Sequence, residues 1–576
     1  MADRKRMLLP LLVGSLAVFI SWIIFKRQER EKRVAELEEA VKGRQEEREK
    51  NIEWARKRAS LVSKEDKERI GRMNFDQLRD SLQMGSVSCS TVLSVYLSKA
   101  LQAHEKTNCV TLFVKESVKW AEEWDEKAKK RQEKPPLFGI PISIKECTVM
   151  EGYDQTRGYA SGINHPSSKD GLLVAQLKSL GAIPFVQTNV PLSLLSFTCG
   201  NKIYGWTSNP HDSNRTPGGS SGGESAILAA GGSILGIGGD VGGSIRIPAH
   251  YAGIAGIKPS HLRLSSLGTL GSVPGRPLIN ASEGPMAPSI HTCTKILKQL
   301  WSTDWISSRD PYVPPVLWND ELYKKGNKLR IGYYTDDGWF TPTPGCERVV
   351  LEAKSTLERI GYTVVPFTPP NVPEVVRLFV ACVCVDGGAY VIKNITNDLA
   401  PSVFLKALRP LRLPIILQRI AGKLAGLFGW WRLDKFMHAL AYNTVEMREN
   451  YASIEKYREQ FISLMREQHI DLLLCPVNVL PSPPHDAPLH LSAAMNYTAI
   501  FNLLDFAAGV VKAGNWTKED EENLSSYPTT DIWYGMARDY SKNSTGLPLG
   551  VQIAGPPYQE ETVLRVLGDL EDNTIQ

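Results

Sequence analysis

Between Thr216 and Ser260 the chain reads TPGGSSGGESAILAAGGSILGIGGDVGGSIRIPAHYAGIAGIKPS. Glycine at this density ordinarily makes a flexible linker, yet a linker does not carry interleaved apolar segments of helix length such as ESAILAAGGSILGIG. The glycines are therefore positional. Two uses compete: nests of backbone N–H groups that hold an anion, and close backbone packing around an exposed nucleophile.

Nucleotide binding fails on detail, because no G-x-x-x-x-G-K-[ST] occurs and no G-x-G-x-x-G opens a helix after a strand. A G-x-S-x-G pattern is matched at Gly218 to Gly222 and again at Gly219 to Gly223. The nucleophile elbow of an α/β-hydrolase, however, needs a hydrophobic strand immediately before it, and SNPHDSNRTP is a turn-rich loop. What remains is a serine enzyme whose base is not histidine. Upstream, PPLFGIPISIKECTV sets Lys145 near the end of a short β-type run. Burial there disfavours the ammonium and favours the neutral amine, the form able to accept a proton.

The chain has 576 residues, which suits one large α/β domain with appendages. From about Asn74 onward, β-rich runs alternate with helical patterns; LLVAQLKSLGAIPFVQTN reads as helix, glycine, strand. The formal charge of +5 is spread over local patches and gives no argument for nucleic acid. Nine cysteines without paired C-x-x-C spacing read as reduced thiols.

Two segments point to membranes. Met7 to Phe25 carries no charge and, as a helix, spans about 28 Å, close to the hydrocarbon core of a bilayer. It meets Lys26-Arg27 directly, without a small-residue cleavage site, so residues 7–25 are expected to form an uncleaved transmembrane anchor. The excess of basic residues downstream places the rest of the chain in the cytosol, although N-x-S/T sequons at Asn280, Asn394, Asn496, Asn515, Asn523 and Asn543 would be open to glycosylation in a lumenal orientation. Residues 26–73 are dense in Glu, Lys and Arg and are expected to form a solvated spacer helix ahead of a catalytic domain over 74–576. Residues 402–440 interleave Leu, Ile, Phe and paired Trp with Arg409, Arg412, Arg419, Lys423, Arg432 and Lys435. This suits helices lying in a membrane interface, and equally an amphipathic pair packed on the protein's own core.

The succession PLFGIPISIKE, TPGGSSGGESA and GGDVGGSIRIPA resembles the amidase signature family in order and nearly in spacing. The likeness runs from about Pro136 to Pro259, and more weakly through DLLLCPVNVLPSPP to STGLPLGVQIAGPPYQEETVLRVLGDLE. It implies that family's α/β fold, a large twisted mixed sheet surrounded by helices. It also implies a catalytic set of Ser244 as nucleophile, Lys145 as base and Ser220 as bridge, with a cis Gly219-Ser220 peptide. The N–H groups of Val241, Gly242, Gly243 and Ser244 are implied as the oxyanion hole, and Leu194 and Leu195 as the wall of an acyl channel, with Trp533 and Phe436 as further wall candidates. Ser221 is expected to bond the lysine or nearby loop backbone, and Asp240 with Arg246 to form a structural pair beneath the loop.

Together with the two membrane segments, the resemblance implies hydrolysis of long-chain fatty acid amides, N-acylethanolamines or primary amides, to acid and amine. Lipid esters and N-acyl amino acids are close alternatives, and a glutamine-hydrolysing amidotransferase subunit or a catalytically silent scaffold are more distant ones. No metal or cofactor is implied. The implied partners are a lipid amide substrate, the bilayer of an endomembrane such as the endoplasmic reticulum, and a second copy in a homodimer. Gly239, Ile247, Leu194, Leu195 and the proline-poor FNLLDFAAGVVKAG depart from the family pattern and bear on substrate preference.

Overall fold

The computed structural model describes residues 2–130, 133–276, 278–324, 329–441 and 443–574, with the side chains of residue 19 and of residues 21 onward. The strands are β1 (Val110–Phe113), β2 (Pro141–Lys145), β3 (Ile183–Thr188), β4 (Gly200–Asn201), β5 (Gly205–Trp206), β6 (Gly236–Asp240), β7 (Ala255–Lys258), β8 (Ser282–Ala287), β9 (Arg330–Tyr333), β10 (Thr363–Pro366), β11 (Leu472–Pro476), β12 (Ala507–Asn515) and β13 (Pro548–Gly555). All but the β4–β5 pair join one mixed sheet of 11 strands, ordered β1-β3-β2-β6-β8-β7-β12-β13-β11-β9-β10.

The sequences of β2 (PISIK), β3 (IPFVQT) and β13 (PLGVQIAG) are buried at every position, as expected of strands with both faces covered by helices. β2 runs parallel to both β3 and β6. Their carboxyl ends therefore lie on one side of the sheet, where open α/β sheets gather their sites. Lys145 closes β2, and Asp240 closes β6.

The first helix, α1 (Ala2–Ala59), runs unbroken through the expected boundary at residue 26. Its described positions 21–33 are exposed. Beyond them the expectation of a solvated spacer is corrected: Leu37, Val41, Arg44, Arg48, Asn51, Ile52, Ala55 and Ala59 are all buried along one seam. The seam is legible only as charge in the sequence because it docks through polar side chains that find partners. Arg44 Nη2 meets Asp154 Oδ2 at 2.6 Å. Arg48 Nε donates to the Val110 carbonyl at 3.1 Å, and Asn51 both donates to the Phe113 carbonyl (2.9 Å) and accepts from the Phe113 N–H (2.7 Å). Val110 and Phe113 belong to β1, the edge of the sheet, so α1 covers backbone groups that an edge strand would otherwise leave open.

The expected anchor, residues 7–25, falls on the amino-terminal part of α1, where most side chains lie outside the described residues. Among the described residues no helix is long and apolar enough to cross a membrane.

Residues 402–440 form the helices Ser402–Ala407, Ile415–Leu427 and Trp431–Met437. The last two pack as a hairpin, so tightly that a Cβ on Gly422 would come within 2.9 Å of Met437 Cβ. Two of the cations turn inward: Arg419 pairs with Glu446 at 2.6 Å, and buried Arg432 pairs with Asp531 at 2.5 Å. The outer face keeps Ile416, Leu417, Ile420, Leu424, Leu427 and Phe428 exposed, the last two at 82% and 81%. The pair packs on the protein's own core through Ile415, Leu433 and Phe436 and leaves this second apolar face uncovered by the described residues.

Candidate active site

Lys145 is 2% exposed, and its amine has three partners: Ser220 Oγ at 2.9 Å, Ser221 Oγ at 2.9 Å and the Gly239 carbonyl at 3.0 Å. The carbonyl can only accept. The two hydroxyls can donate or accept, so the set satisfies an ammonium with three donors and equally an amine whose lone pair receives one hydroxyl proton. Among the described residues no carboxylate lies within ion-pair distance of Lys145. Ser221 thus bonds both the lysine and the strand backbone, since Gly239 N–H donates to its hydroxyl at 3.3 Å.

The Gly219-Ser220 peptide is cis. Gly219 cannot be replaced by a larger residue without collision, because its Cβ would lie 2.2 Å from the Thr198 carbonyl oxygen and 2.5 Å from that of Ser196. Ser244, 7% exposed, sits after β6 just ahead of the helix Arg246–Ala252, and its carbonyl accepts the Ser221 N–H at 3.2 Å. Lys145 and Ser220 are therefore joined by a hydrogen bond, whereas the Ser244 hydroxyl makes none to Ser220. Catalytic hydrogen bonds often close only around a substrate.

The turn from Asp240 to Ser244 narrows the expected anion hole. Asp240 folds back to accept the N–H groups of Gly243 (2.8 Å) and Ile245 (3.1 Å), so Gly243 is engaged by a carboxylate and is corrected out of the donor set. The N–H groups of Val241, Gly242 and Ser244 have no protein acceptor among the described residues. Gly243 has φ +126°, and a Cβ there would lie 2.4 Å from Thr498 Oγ1, so only glycine fits. Thr498 in turn donates to the Gly242 carbonyl at 2.6 Å, and Phe379 stands over Gly242. Neither Thr498 nor Phe379 is marked by any sequence motif: Gly242 and Thr498 are 256 residues apart.

Beneath the turn, Arg246 grips Asp240 with Nε and Nη2, both at 3.0 Å, and both residues are fully buried. Arg246 also donates to Gln552 Oε1 (2.7 Å), Asn502 Oδ1 (2.5 Å) and the Thr498 carbonyl (3.0 Å). Burial pushes the Asp240 carboxyl up, but the adjoining guanidinium outweighs this and holds it well below the usual carboxylate range. The expected structural pair is present, with Asn502 and Gln552 as unforeseen members.

A second buried acid, Glu224, lies in the first turn of the helix Gly222–Ala229 and accepts the hydroxyls of Ser143 (2.6 Å) and Thr188 (2.7 Å). Burial raises its carboxyl to about 7 against the pull of those hydroxyls.

Leu194 is buried with Cys147 and Val190, and takes a positive φ of 61°. Leu195 is half-buried and touches two apolar clusters. One of these clusters also includes Val241 from the turn, Phe379 from the helix Val372–Val383, Leu433 and Phe436 from the foot of the exposed hairpin, and Trp533 from the helix Ile532–Ser541. Phe436 and Trp533 meet edge to face at 6.2 Å. Of the expected wall residues, Leu195, Phe436 and Trp533 share one apolar cluster with Val241 although they lie on distant stretches of chain, whereas Leu194 packs apart from them with Cys147 and Val190.

A buried lysine, two serines and a turn with three unengaged N–H groups thus stand at the ends of the parallel strands β2 and β6 of the mixed sheet, and the sequence profile of the amidase family matches residues 91–564. The chain belongs to the amidase signature family and is an amide-hydrolysing enzyme. Among its relatives, "Fatty acid amide hydrolase 1" of Caenorhabditis elegans is 46% identical, covering 98% of each chain. "Fatty-acid amide hydrolase 1" of Sus scrofa is 37% identical over 88% of this chain and 86% of its own. A solved structure of "Fatty acid amide hydrolase" superposes with TM-score 0.77 at 25% identity, covering 93% of this chain and 90% of that one.

Proposed function

We propose that this chain hydrolyses long-chain fatty acid amides through Ser244, Ser220 and Lys145. Ser244 Oγ attacks the amide carbonyl carbon, its proton passes to Ser220, and the Ser220 proton passes to the unprotonated Lys145 amine. The N–H groups of Val241, Gly242 and Ser244 receive the developing oxyanion. The relay then reverses: the proton returns through Ser220 to the amine nitrogen as the C–N bond breaks, leaving an acyl ester on Ser244. Water cleaves that ester to free acid, its proton returning along the same path.

The observation that carries this reading is the 2.9 Å contact from the Lys145 amine to Ser220 Oγ beside a turn with unengaged donors. The fatty acyl part rests on the names of the relatives and on the apolar cluster from Val241 to Phe436 and Trp533. Membrane seating, through residues 7–25 and the exposed face of Ile415–Leu427, is supported by the uncharged run and by the unburied Ile, Leu and Phe side chains.

The test is fluorophosphonate labelling together with a hydrolysis panel of acyl amides and acyl esters. Label is expected on wild type and absent from Ser244→Ala. Lys145→Ala is expected to lose amide turnover while retaining part of its ester turnover, because an amine leaving group needs the returned proton more than an alkoxide does. Equal loss on both substrate classes would remove the relay, and a panel in which short amides outrun long ones would remove the fatty acyl assignment.

A further inference from the structure

Arg30 of α1 and Arg409 and Arg412 of the segment preceding the exposed hairpin converge on one cavity of about 380 Å³, completed by Thr396, Asn397 and Leu405. That volume lies in the range of small-molecule sites, roughly 300–1,000 Å³. Among the described residues none of the three guanidinium groups has a carboxylate within ion-pair distance. The nearby acids are engaged elsewhere: Glu29 by Lys26 at 2.7 Å, Glu31 by Arg27 at 2.9 Å, and Asp398 by the N–H groups of Ala160 (2.8 Å) and Ser161 (2.9 Å). Arg33 Nε donates to the Asn397 carbonyl at 3.0 Å, so α1 is fastened to the opposite wall.

Three exposed guanidinium groups around one cavity raise its local positive potential and favour an anion between them, and the planar guanidinium fork matches a pair of phosphate oxygens. The rim decides what carries the phosphate. Ile24 and Phe25 stand exposed a turn and a half before Arg30 on α1, and exposed Leu413, Ile416 and Leu417 follow Arg412. A ligand with an anionic phosphate and hydrocarbon tails would meet both the cations and this apolar rim, whereas free phosphate would meet only the cations.

The geometry points to a site for the phosphate headgroup of one anionic phospholipid, held between α1 and the base of the exposed hairpin. It rests on the membrane seating proposed above and adds to it a specific lipid class. Bound there, the lipid would join the foot of the anchor helix to the hairpin.

The test uses the full chain in neutral detergent micelles, titrated calorimetrically with monomeric dihexanoyl phosphatidylglycerol, dihexanoyl phosphatidylcholine and inorganic phosphate. Saturable binding of phosphatidylglycerol is expected, with the other two at least tenfold weaker. The triple variant Arg30→Gln, Arg409→Gln, Arg412→Gln is expected to bind about 100-fold more weakly, at roughly fivefold per arginine, with its thermal unfolding transition unmoved. The corresponding triple lysine variant, which keeps charge and loses the fork, falls in between. Unchanged affinity in the glutamine variant would overturn the site, and inorganic phosphate binding as tightly as the lipid would overturn the lipid assignment. Flotation of wild type with neutral phosphatidylcholine vesicles reads the seating separately: failure to float alongside intact phosphatidylglycerol binding removes the seating and leaves the site.

Discussion

Two fully buried acids flank the serine–lysine site, and they are treated in opposite ways. Asp240 is gripped by Arg246 through two 3.0 Å bonds and accepts two backbone N–H groups, so it is held as a carboxylate. Glu224 has only the hydroxyls of Ser143 and Thr188, and its carboxyl is pushed up to about 7 by burial. The contrast separates two tasks. The nucleophile's turn is fixed by a charge whose field is cancelled locally by its partner. The lysine end is packed beside a carboxyl that burial pushes up and that has only hydroxyl partners, with no cation gripping it as Arg246 grips Asp240.

The largest test of this contrast is Arg246→Leu. It leaves a buried carboxylate without its cation, and unfolding free energy is expected to fall by about 3–5 kcal/mol. The double variant Asp240→Asn with Arg246→Leu is expected to lose less than that, because no unpaired charge remains; a larger loss in the double variant would mean that the pair acts by packing alone. Both are measured by denaturant unfolding.

Next in size is a pH effect. The Glu224 carboxyl is raised in the folded chain to about 7, against roughly 4.3 when unfolded. Its protonation therefore stabilises the fold fully below pH ~4.3, and this contribution is lost as pH rises through ~7, on the order of 3–4 kcal/mol in full. Glu224→Gln should flatten the stability profile between about pH 4 and 7. Asp337, also raised to about 7 by burial, keeps a residual slope in that variant. An unaltered profile would show that Glu224 is charged in the folded state.

Smaller still, Ser143→Ala removes one hydroxyl from Glu224 and is expected to cost about 1 kcal/mol. It also raises the carboxyl further, moving the midpoint of the profile to higher pH. The smallest effect belongs to Gly239→Ala. Its Cβ would meet only Lys145 Nζ, at 3.8 Å, so stability should change by less than about 0.5 kcal/mol. Gly243→Ala, at φ +126°, should be severely destabilising by comparison.

The parts of the candidate site lie in short motifs, and it was the resemblance of those motifs to the amidase signature family that marked them in the chain. Lys145 at a strand end, the glycine loop with Ser220, and the turn to Ser244 each follow from a few consecutive residues. What the sequence hid is what arrives from elsewhere. Gly243 looks like a free donor until Asp240 folds back on it, and Thr498, Phe379, Asn502 and Gln552 reach the turn only through tertiary packing.

The fold shows the same division. Alternation of strands and helices gave the α/β class, but not the docking of α1. Its seam is built on Arg44, Arg48 and Asn51, and periodicity reads such residues as a wet surface. The hairpin is the converse case: its apolar residues were visible in the sequence, whereas the inward turn of its arginines depended on Glu446 and Asp531.

One consequence follows from α1 being a single helix that buries Leu37 and its successors against the sheet edge. Leu37 lies twelve positions beyond Phe25, about 18 Å of rod with no joint in it. Under the proposed seating this stalk sets both the height of the enzyme above the lipid and its compass bearing. One inserted residue would swivel the catalytic body by about 100°, whereas seven would lift it by roughly 10 Å and return it almost to its original heading.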